Sequence, residues 1–179
     1  MPNIMKAVQF MIYTANDNTH GYDQTHRNGP DYDCSSLVGT ALHEAGFNVS
    51  PYSWTGNLEA QLRKAGFVDC KAPWLPGDVH LKTQHHVVMS ISNSQIAHAS
   101  INEKGTVTGG RSGDQTGKEI CIRSYYEYSG GWDVHLRYAG QNTVVTPDVS
   151  IDTIAREVIA GKWGNGDTRK KLITETGYD

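Results

Sequence analysis

Apolar residues recur at every third or fourth position in three stretches of the first part of the chain, the pattern of amphipathic helices. Asp33 before the second stretch is a natural N-cap, and Gly46 after it is a natural stop. Asn57 is a possible N-cap for the third stretch. The predicted helices span residues 3–15, 34–45 and 58–65.

The second part of the chain changes to the alternating pattern of β-strands. Residues 86–92 and 95–100 flank a short turn at Asn93 and Ser94, which predicts a hairpin. Helices followed by an antiparallel sheet form an α+β arrangement, with the N-terminal helices packed on the sheet. The other predicted strands span residues 119–123 and 134–138.

The end of the chain has a third pattern. Residues 141–149 are polar and β-branched and predict a linker, and residues 150–179 again carry apolar positions at helical spacing. Two short helices cannot enclose a core alone. The predicted organisation is therefore a main domain over residues 1–140, followed by the linker and a small helical appendage.

Composition excludes several classes of protein. The 179 residues are 37% hydrophobic and 20% charged, as in globular proteins, and the formal net charge of -3 argues against a nucleic-acid binder. No apolar run approaches the ~20 residues that span a bilayer, so membrane insertion is not expected. The N-terminus lacks the basic and apolar regions of a secretory signal. Three cysteines without CxxC spacing give neither a disulfide framework nor a zinc knuckle.

Cys34 lies at the first turn of the second predicted helix. The partial positive charge of a helix N-terminus favours thiolate over thiol, which predicts a lowered thiol pKa, and its free N–H groups can bind an oxyanion. A buried structural cysteine is the alternative. Because Cys34 stands at the polar start of the helix and not on its apolar stripe, the pattern favours a nucleophile.

A cysteine nucleophile needs a base, and the base needs an orienting partner. His86 and His98 lie on the two strands of the predicted hairpin. A two-residue turn would put them on opposite faces, whereas a three-residue loop over 92–94 pairs Val88 with His98 and puts both on one face. A Cys-His-His site therefore predicts an odd loop or a bulge, with His85 at a solvated strand end.

Four stretches occur in a characteristic order along the chain: Tyr32-Asp33-Cys34-Ser35-Ser36-Leu37-Val38, Leu75-Pro76-Gly77-Asp78-Val79, His86-Val87-Val88-Met89 and Ile96-Ala97-His98-Ala99-Ser100. They resemble the motifs of papain-like peptidoglycan hydrolases of the NlpC type. The stretches 113–120 and Trp132-Asp133 are similar to the amidase branch of phage lysins. Ser36 is a departure, since many relatives carry Gly there.

The resemblance implies a role for each motif residue. Cys34 would be the nucleophile, His86 the general base and acid, and His98 the residue that orients the imidazole. No metal or cofactor is implied. Asp33 would cap the helix and hold a substrate amine, as the matching acid does in relatives. For Trp54, packing in the core is the alternative to contact with the substrate. The residues expected to bind substrate or the oxyanion are Tyr22, Asp33, Ser36 and Trp54.

Residues 151–179 resemble a Cpl-seven-type cell-wall-binding repeat, most closely over 155–166. Such repeats are three-helix bundles, and the chain stops where a third helix is expected, which suggests a partial repeat. Trp163 and Arg169 are the expected glycan contacts.

These resemblances imply a phage endolysin whose partner is bacterial peptidoglycan. We expect synthesis in the host cytoplasm and action on the wall after holin-type release. A γ-D-glutamyl endopeptidase is favoured because Asp33 can hold a free amine, and an N-acetylmuramoyl-L-alanine amidase with the same chemistry is the alternative. Two other classes stay open: a metal hydrolase using His85, His86 and His98, and a non-catalytic wall-binding module.

Overall fold

The computed structural model of the protein describes residues 1–140. The predicted linker over 141–149 and the appendage over 150–179, with Trp163 and Arg169, lie outside the described residues. The fold is α+β, as predicted: three helices accompany a six-stranded antiparallel sheet. In chain order the elements are α1 (Ile4–Ala15), α2 (Cys34–Glu44), α3 (Leu58–Lys64), β1 (Phe67–Asp69), β2 (Val79–Lys82), β3 (His86–Ser90), β4 (Gln95–Ala99), β5 (Ile120–Ser124) and β6 (Val134–Tyr138).

The start of α2 is fixed by a reciprocal capping box. The Asp33 carboxylate accepts from the Ser36 backbone N–H at 2.7 Å, and the Ser36 hydroxyl accepts from the Asp33 backbone N–H at 3.0 Å. Gly46 ends the helix with a φ of 86°, in the left-handed region that favours glycine. Asn57 takes the N-cap position of α3, as predicted, but its side chain accepts from the Trp54 N–H and makes no capping bond to the helix.

The strand order is β1-β6-β2-β3-β4-β5. All four predicted strands are present, but β1 and β2 were not predicted. β1 has only three residues, which is too short for a clear pattern. β2 lies at the centre of the sheet, but two of its four residues, His80 and Lys82, are polar, so its sequence lacks the apolar run typical of a central strand. None of the helices in the described part of the chain is long and apolar enough to cross a membrane.

The two faces of the sheet pack against different parts of the protein. One face packs against α1 and α2 and forms the main core, which includes Leu37, Val87 and Met89, all fully buried. The other face carries Val88 and Ile96, which pack against Trp132 from the segment between β5 and β6. This second face also carries the histidines of the candidate site.

The β3–β4 hairpin has the odd loop that the sequence argument required. Met89 pairs with Ala97 and Ser90 with Ile96, so the loop spans Ser92 to Ser94. Continuing this register puts Val88 opposite His98 and leaves His86 on the same face, one diagonal step away. The prediction of an odd loop is confirmed.

Candidate active site

Cys34 is the first residue of α2 and is 6% exposed. The backbone N–H groups of Val87, Ser35 and Cys34 itself are directed at its sulfur. Val87 is the residue after His86, and the β3–β4 ladder begins only at Met89. The Val87 N–H therefore does not serve the ladder at this point, and the helix start and the first residues of β3 meet at the thiol.

His86 and His98 form a direct pair. The His86 Nε2 and His98 Nδ1 atoms lie 2.9 Å apart, with the rings at 74° to each other. Because Nε2 is engaged, Nδ1 is the nitrogen of His86 left for a proton from a thiol. His98 is 2% exposed, and its Nε2 has no hydrogen-bond partner among the described residues. His98 thus acts on His86 through one hydrogen bond, the geometry of an orienting residue.

Burial dominates the ionisation of this group. Burial, helped by the nearby Asp33 carboxylate, raises the pKa of the Cys34 thiol to about 12 against the opposing effect of the three N–H groups. Burial also lowers the pKa of His86 to about 4 and that of His98 to about 3. The expected lowered thiol pKa is therefore wrong for the free protein, because lost hydration outweighs the helix N-terminus. At neutral pH the thiol and both imidazoles are uncharged.

Tyr22 stands beside the thiol. It is 4% exposed, and its hydroxyl accepts from the Gln24 side chain at 3.1 Å. Burial raises the pKa of this phenol, and the neighbouring Cys34 raises it further, so the hydroxyl keeps its proton. Tyr22 can thus offer an O–H donor near the sulfur, and its oxyanion or substrate role stays a prediction.

A network of carboxylates holds the Tyr22 segment. Glu119, fully buried, accepts from the Tyr22 backbone N–H at 3.0 Å, and Asp114 accepts from the Glu119 N–H at 2.9 Å. Asp31 Oδ1 accepts hydrogen bonds from the backbone N–H groups of Gly21 and Gly113, at 2.8 and 2.9 Å, and so connects the two segments. The stretch 113–120, which the sequence argument matched without a role, therefore positions Tyr22.

Asp33 has both carboxylate oxygens engaged. Oδ1 accepts from the Ser36 N–H and the Ser35 hydroxyl at 2.7 and 2.9 Å, which confirms the predicted cap. Oδ2 accepts from Arg27 Nη1 at 2.7 Å. The predicted partner of this carboxylate was a substrate amine, and a cation of the protein itself stands there instead. Arg27 was not among the predicted site residues.

Ser36 and Trp54 have opposite environments. Ser36 is fully buried within the capping box, so its hydroxyl serves the helix start and has no surface for a substrate. Trp54 is 49% exposed, so the alternative of core packing for this residue is wrong. Its loop is joined to the site, because Arg27 donates to the Ser53 carbonyl at 3.0 Å.

An aromatic wall, defined as Tyr126, Tyr128 and Trp132, covers the histidine pair. The His86 ring stacks on Tyr128 and Trp132 at centroid distances of 6.0 and 6.2 Å, and His98 lies 6.2 Å from Tyr126. These rings therefore lie against the two imidazoles whose pKa values burial lowers. Only the Trp132-Asp133 match signalled this segment in the sequence.

The other histidines do not join the pair. His85 is exposed in the turn before β3, as expected of a solvated strand end. Within residues 1–140, no three His, Cys, Asp or Glu side chains are grouped as a metal ion would require. The geometry therefore brings together Cys34, His86, His98, Tyr22 and Asp33, but not His85.

Comparison with known protein families gives two matches. A family model described as an endolysin-like domain matches residues 29–95 and 96–156, more than half of the chain, and a CW_7 repeat model matches residues 152–179. No curated protein matches the chain. The two matches support a cell-wall hydrolase function, with a repeat that suggests binding to the cell wall. The chain belongs to the endolysin-like domain family and ends in a CW_7 cell-wall-binding repeat.

Proposed function

We propose that the protein is a cysteine-dependent peptidoglycan hydrolase of the papain-like, NlpC-type group, from a bacteriophage, that cleaves an amide bond of the wall. The observation that carries the proposal is that β3 brings the Val87 N–H, one residue after His86, to the Cys34 sulfur at the start of α2, while His86 is hydrogen-bonded to His98. A nucleophile, a base and an orienting residue are the parts that acyl transfer through a thioester requires.

The proposed reaction begins with attack of the Cys34 sulfur on the amide carbonyl. Because burial keeps the free thiol protonated, its proton passes to His86 during the attack and not before it. The Cys34 N–H and the Tyr22 hydroxyl stabilise the oxyanion. His86 then gives the proton to the departing amine, which leaves a thioester. Water, deprotonated by His86, hydrolyses the thioester and restores the thiol.

Two bonds are candidates for cleavage. The argument for a γ-D-glutamyl endopeptidase is that Asp33 holds a free substrate amine, but this amine would have to displace Arg27 from the carboxylate. That observation favours the second candidate, an N-acetylmuramoyl-L-alanine amidase, because the alanine nitrogen of its substrate is acylated and carries no charge.

Mass spectrometry of fragments released from purified peptidoglycan distinguishes the two bonds. An amidase releases peptides that begin with L-alanine, whereas a γ-D-glutamyl endopeptidase cuts after D-glutamate and releases peptides that begin with the diamino acid. Release of glycan fragments alone, with all stem peptides intact, would exclude both.

Paired variants test the cysteine chemistry. Cys34→Ala and His86→Ala should lower wall hydrolysis by at least about 1000-fold, since each removes a member of one reacting unit. Cys70→Ser and His85→Ala are the matched controls, because Cys70 lies outside the site and His85 is exposed in a turn; both should retain activity. Full turbidity clearing by Cys34→Ala would refute the proposal. A chelator should have no effect.

We also propose that the CW_7 repeat holds the enzyme on its substrate, with Trp163 and Arg169 contacting glycan. The enzyme would be made in the host cytoplasm and act after holin-type release. Trp163→Ala should lower the bound fraction in cell-wall sedimentation. Cells that express the protein should lyse when a holin is added and remain intact without one, and lysis without a holin would contradict this route.

A further inference from the structure

Arg27 connects three parts of the protein around the candidate site. Its Nη1 donates to Asp33 Oδ2 at 2.7 Å, to the Ser35 hydroxyl at 3.3 Å and to the Ser53 carbonyl at 3.0 Å. Its Nη2 donates to the Tyr52 carbonyl at 3.1 Å. The side chains of Arg27 and Asp33 are 21% and 8% exposed. A guanidinium held by four partners in a partly dry site stands at a fixed position, so its charge acts with a fixed geometry.

Among residues 1–140, Asp33 is the carboxylate that acts directly on both members of the proposed reacting pair. It precedes Cys34 in the chain, and its negative charge disfavours loss of the thiol proton. The same charge favours protonation of His86. An unpaired carboxylate here would therefore oppose the thiolate with little water to screen it.

The other groups that face the thiol are weaker sources of charge. Tyr22 from the preceding loop and Tyr126 from the aromatic wall are neutral phenols, whose pKa values burial raises. Beyond them, Arg123 lies 4.8 Å from the Tyr126 ring centroid and acts on His98, on the far side of the pair. Among the described residues, Asp33 is therefore the charged group that acts most strongly on the sulfur, and Arg27 is the cation paired with it.

We propose that Arg27 is a positioning residue that compensates the charge of Asp33 and thereby sets how readily the Cys34 thiol gives up its proton. The inference rests on the proposed function only in taking Cys34 as the nucleophile. Asp33 is then a helix cap whose negative charge is offset by Arg27, and Arg27 gives the loop before α2 a role in the chemistry.

Alkylation of the full-length protein by iodoacetamide tests the inference without any substrate, because the thiolate sulfur displaces iodide and the thiol does not. The rate at Cys34 is read by mass spectrometry against pH. Cys70 supplies an internal reference, since it lies near Asp78 and Arg137 and away from Arg27. Near-UV circular dichroism checks that each variant is folded.

Four variants have different expected rates. Arg27→Gln should slow alkylation of Cys34 about tenfold at each pH, the effect of one unit in the thiol pKa. Arg27→Lys keeps the charge and should stay within about threefold of the wild type. Asp33→Asn keeps a good N-cap and should react about tenfold faster. The double variant Arg27→Gln/Asp33→Asn should return to within about threefold of the wild type.

The opposite signs of the two single variants separate charge from structure. A merely structural role predicts that both single variants slow alkylation and that the double variant is slowest, and this result would overturn the inference. A wild-type rate in folded Arg27→Gln would do the same. If the alkylation cycle behaves as expected but the protein releases nothing from peptidoglycan, the proposed function fails and the role of Arg27 stands.

Discussion

Acidification should unfold this protein well above the pH at which its carboxylates titrate, because three histidines must stay neutral in the fold: His80 and His98, which are buried, and His86, which is half-buried. Burial lowers the pKa of His80 to about 3, of His86 to about 4 and of His98 to about 3. His80 is fully buried and hydrogen-bonded through both ring nitrogens, to His135 and Ser90, each at 2.8 Å. In the unfolded chain each imidazole has its ordinary pKa of about 6.5.

The sign of the effect follows from which state binds more protons. Between about pH 6.5 and pH 4 the unfolded chain takes up a proton at each histidine and the folded chain does not, so stability falls as the pH falls. At pH 5 each histidine costs about 2 kcal/mol, or about 6 kcal/mol for the three. That loss is comparable to the whole stability of many domains, about 5–15 kcal/mol.

Other titrating groups change the size of this loss but not its sign. His135 adds a smaller contribution in the same direction, because burial also lowers its pKa and it is partly exposed. Glu119, whose pKa burial raises, acts in the opposite direction at the lower end of the window. Asp114 and Asp133, whose pKa values hydrogen bonds lower, lose their contributions only below about pH 4.

Urea titrations followed by near-UV circular dichroism from pH 7.5 to pH 5 measure the loss. The expected slope below pH 6 is about three protons, or about 4 kcal/mol per pH unit. His86→Gln should reduce the slope to about two protons, and His85→Gln, at the neighbouring exposed position, should leave it at three. A slope of one proton or less, or no change with His86→Gln, would refute the burial argument.

Three further predictions concern single side chains. Tyr22→Phe should lower kcat about 10- to 100-fold with little change in KM, if its hydroxyl donates to the oxyanion; steady-state kinetics on soluble wall fragments measures this. Glu119→Ala should lower kcat strongly in the wild-type background but much less in the Tyr22→Phe background, because Glu119 acts through the Tyr22 backbone. Additive losses of kcat in this double-mutant cycle would contradict that role. Arg137→Ala should destabilise the fold by about 3–5 kcal/mol in urea unfolding, because the fully buried Asp78 carboxylate loses the cation that lies 2.6 Å from it. A loss of stability below about 1 kcal/mol would contradict this pairing.

Local patterns predicted the elements that carry the candidate chemistry. The cap at Asp33 and the stop at Gly46 are encoded within a few residues, and both are confirmed. The odd hairpin loop followed from strand parity together with the requirement that His86 and His98 share a face, since a two-residue turn would put them on opposite faces. Sequence reasoning succeeds here because the required geometry depends on neighbours along the chain.

The missed features depend on residues distant in sequence. β2 is central only because β3 and β6 pair with it on either side, and nothing within its four residues indicates that position. The bond from Glu119 to the Tyr22 backbone spans 97 positions. The low exposure of Cys34 arises from packing that no local pattern encodes, and it reverses the expected direction of the thiol pKa.

The aromatic wall links the proposed reactivity of the protein to its stability. A base that accepts a proton from a thiol must be neutral before the reaction, and burial beneath Tyr128 and Trp132 keeps the His86 imidazole neutral well below pH 7. The same burial forces the fold to exclude protons that the unfolded chain binds, which is the origin of the acid sensitivity. A substitution that opens the wall, such as Trp132→Ala, should therefore raise the pKa of His86 and flatten the dependence of stability on pH together. The low pKa of His86 and the acid sensitivity have one cause, the loss of water around the imidazole. A variant that changed only one of these two properties would therefore show that the aromatic wall does not produce both.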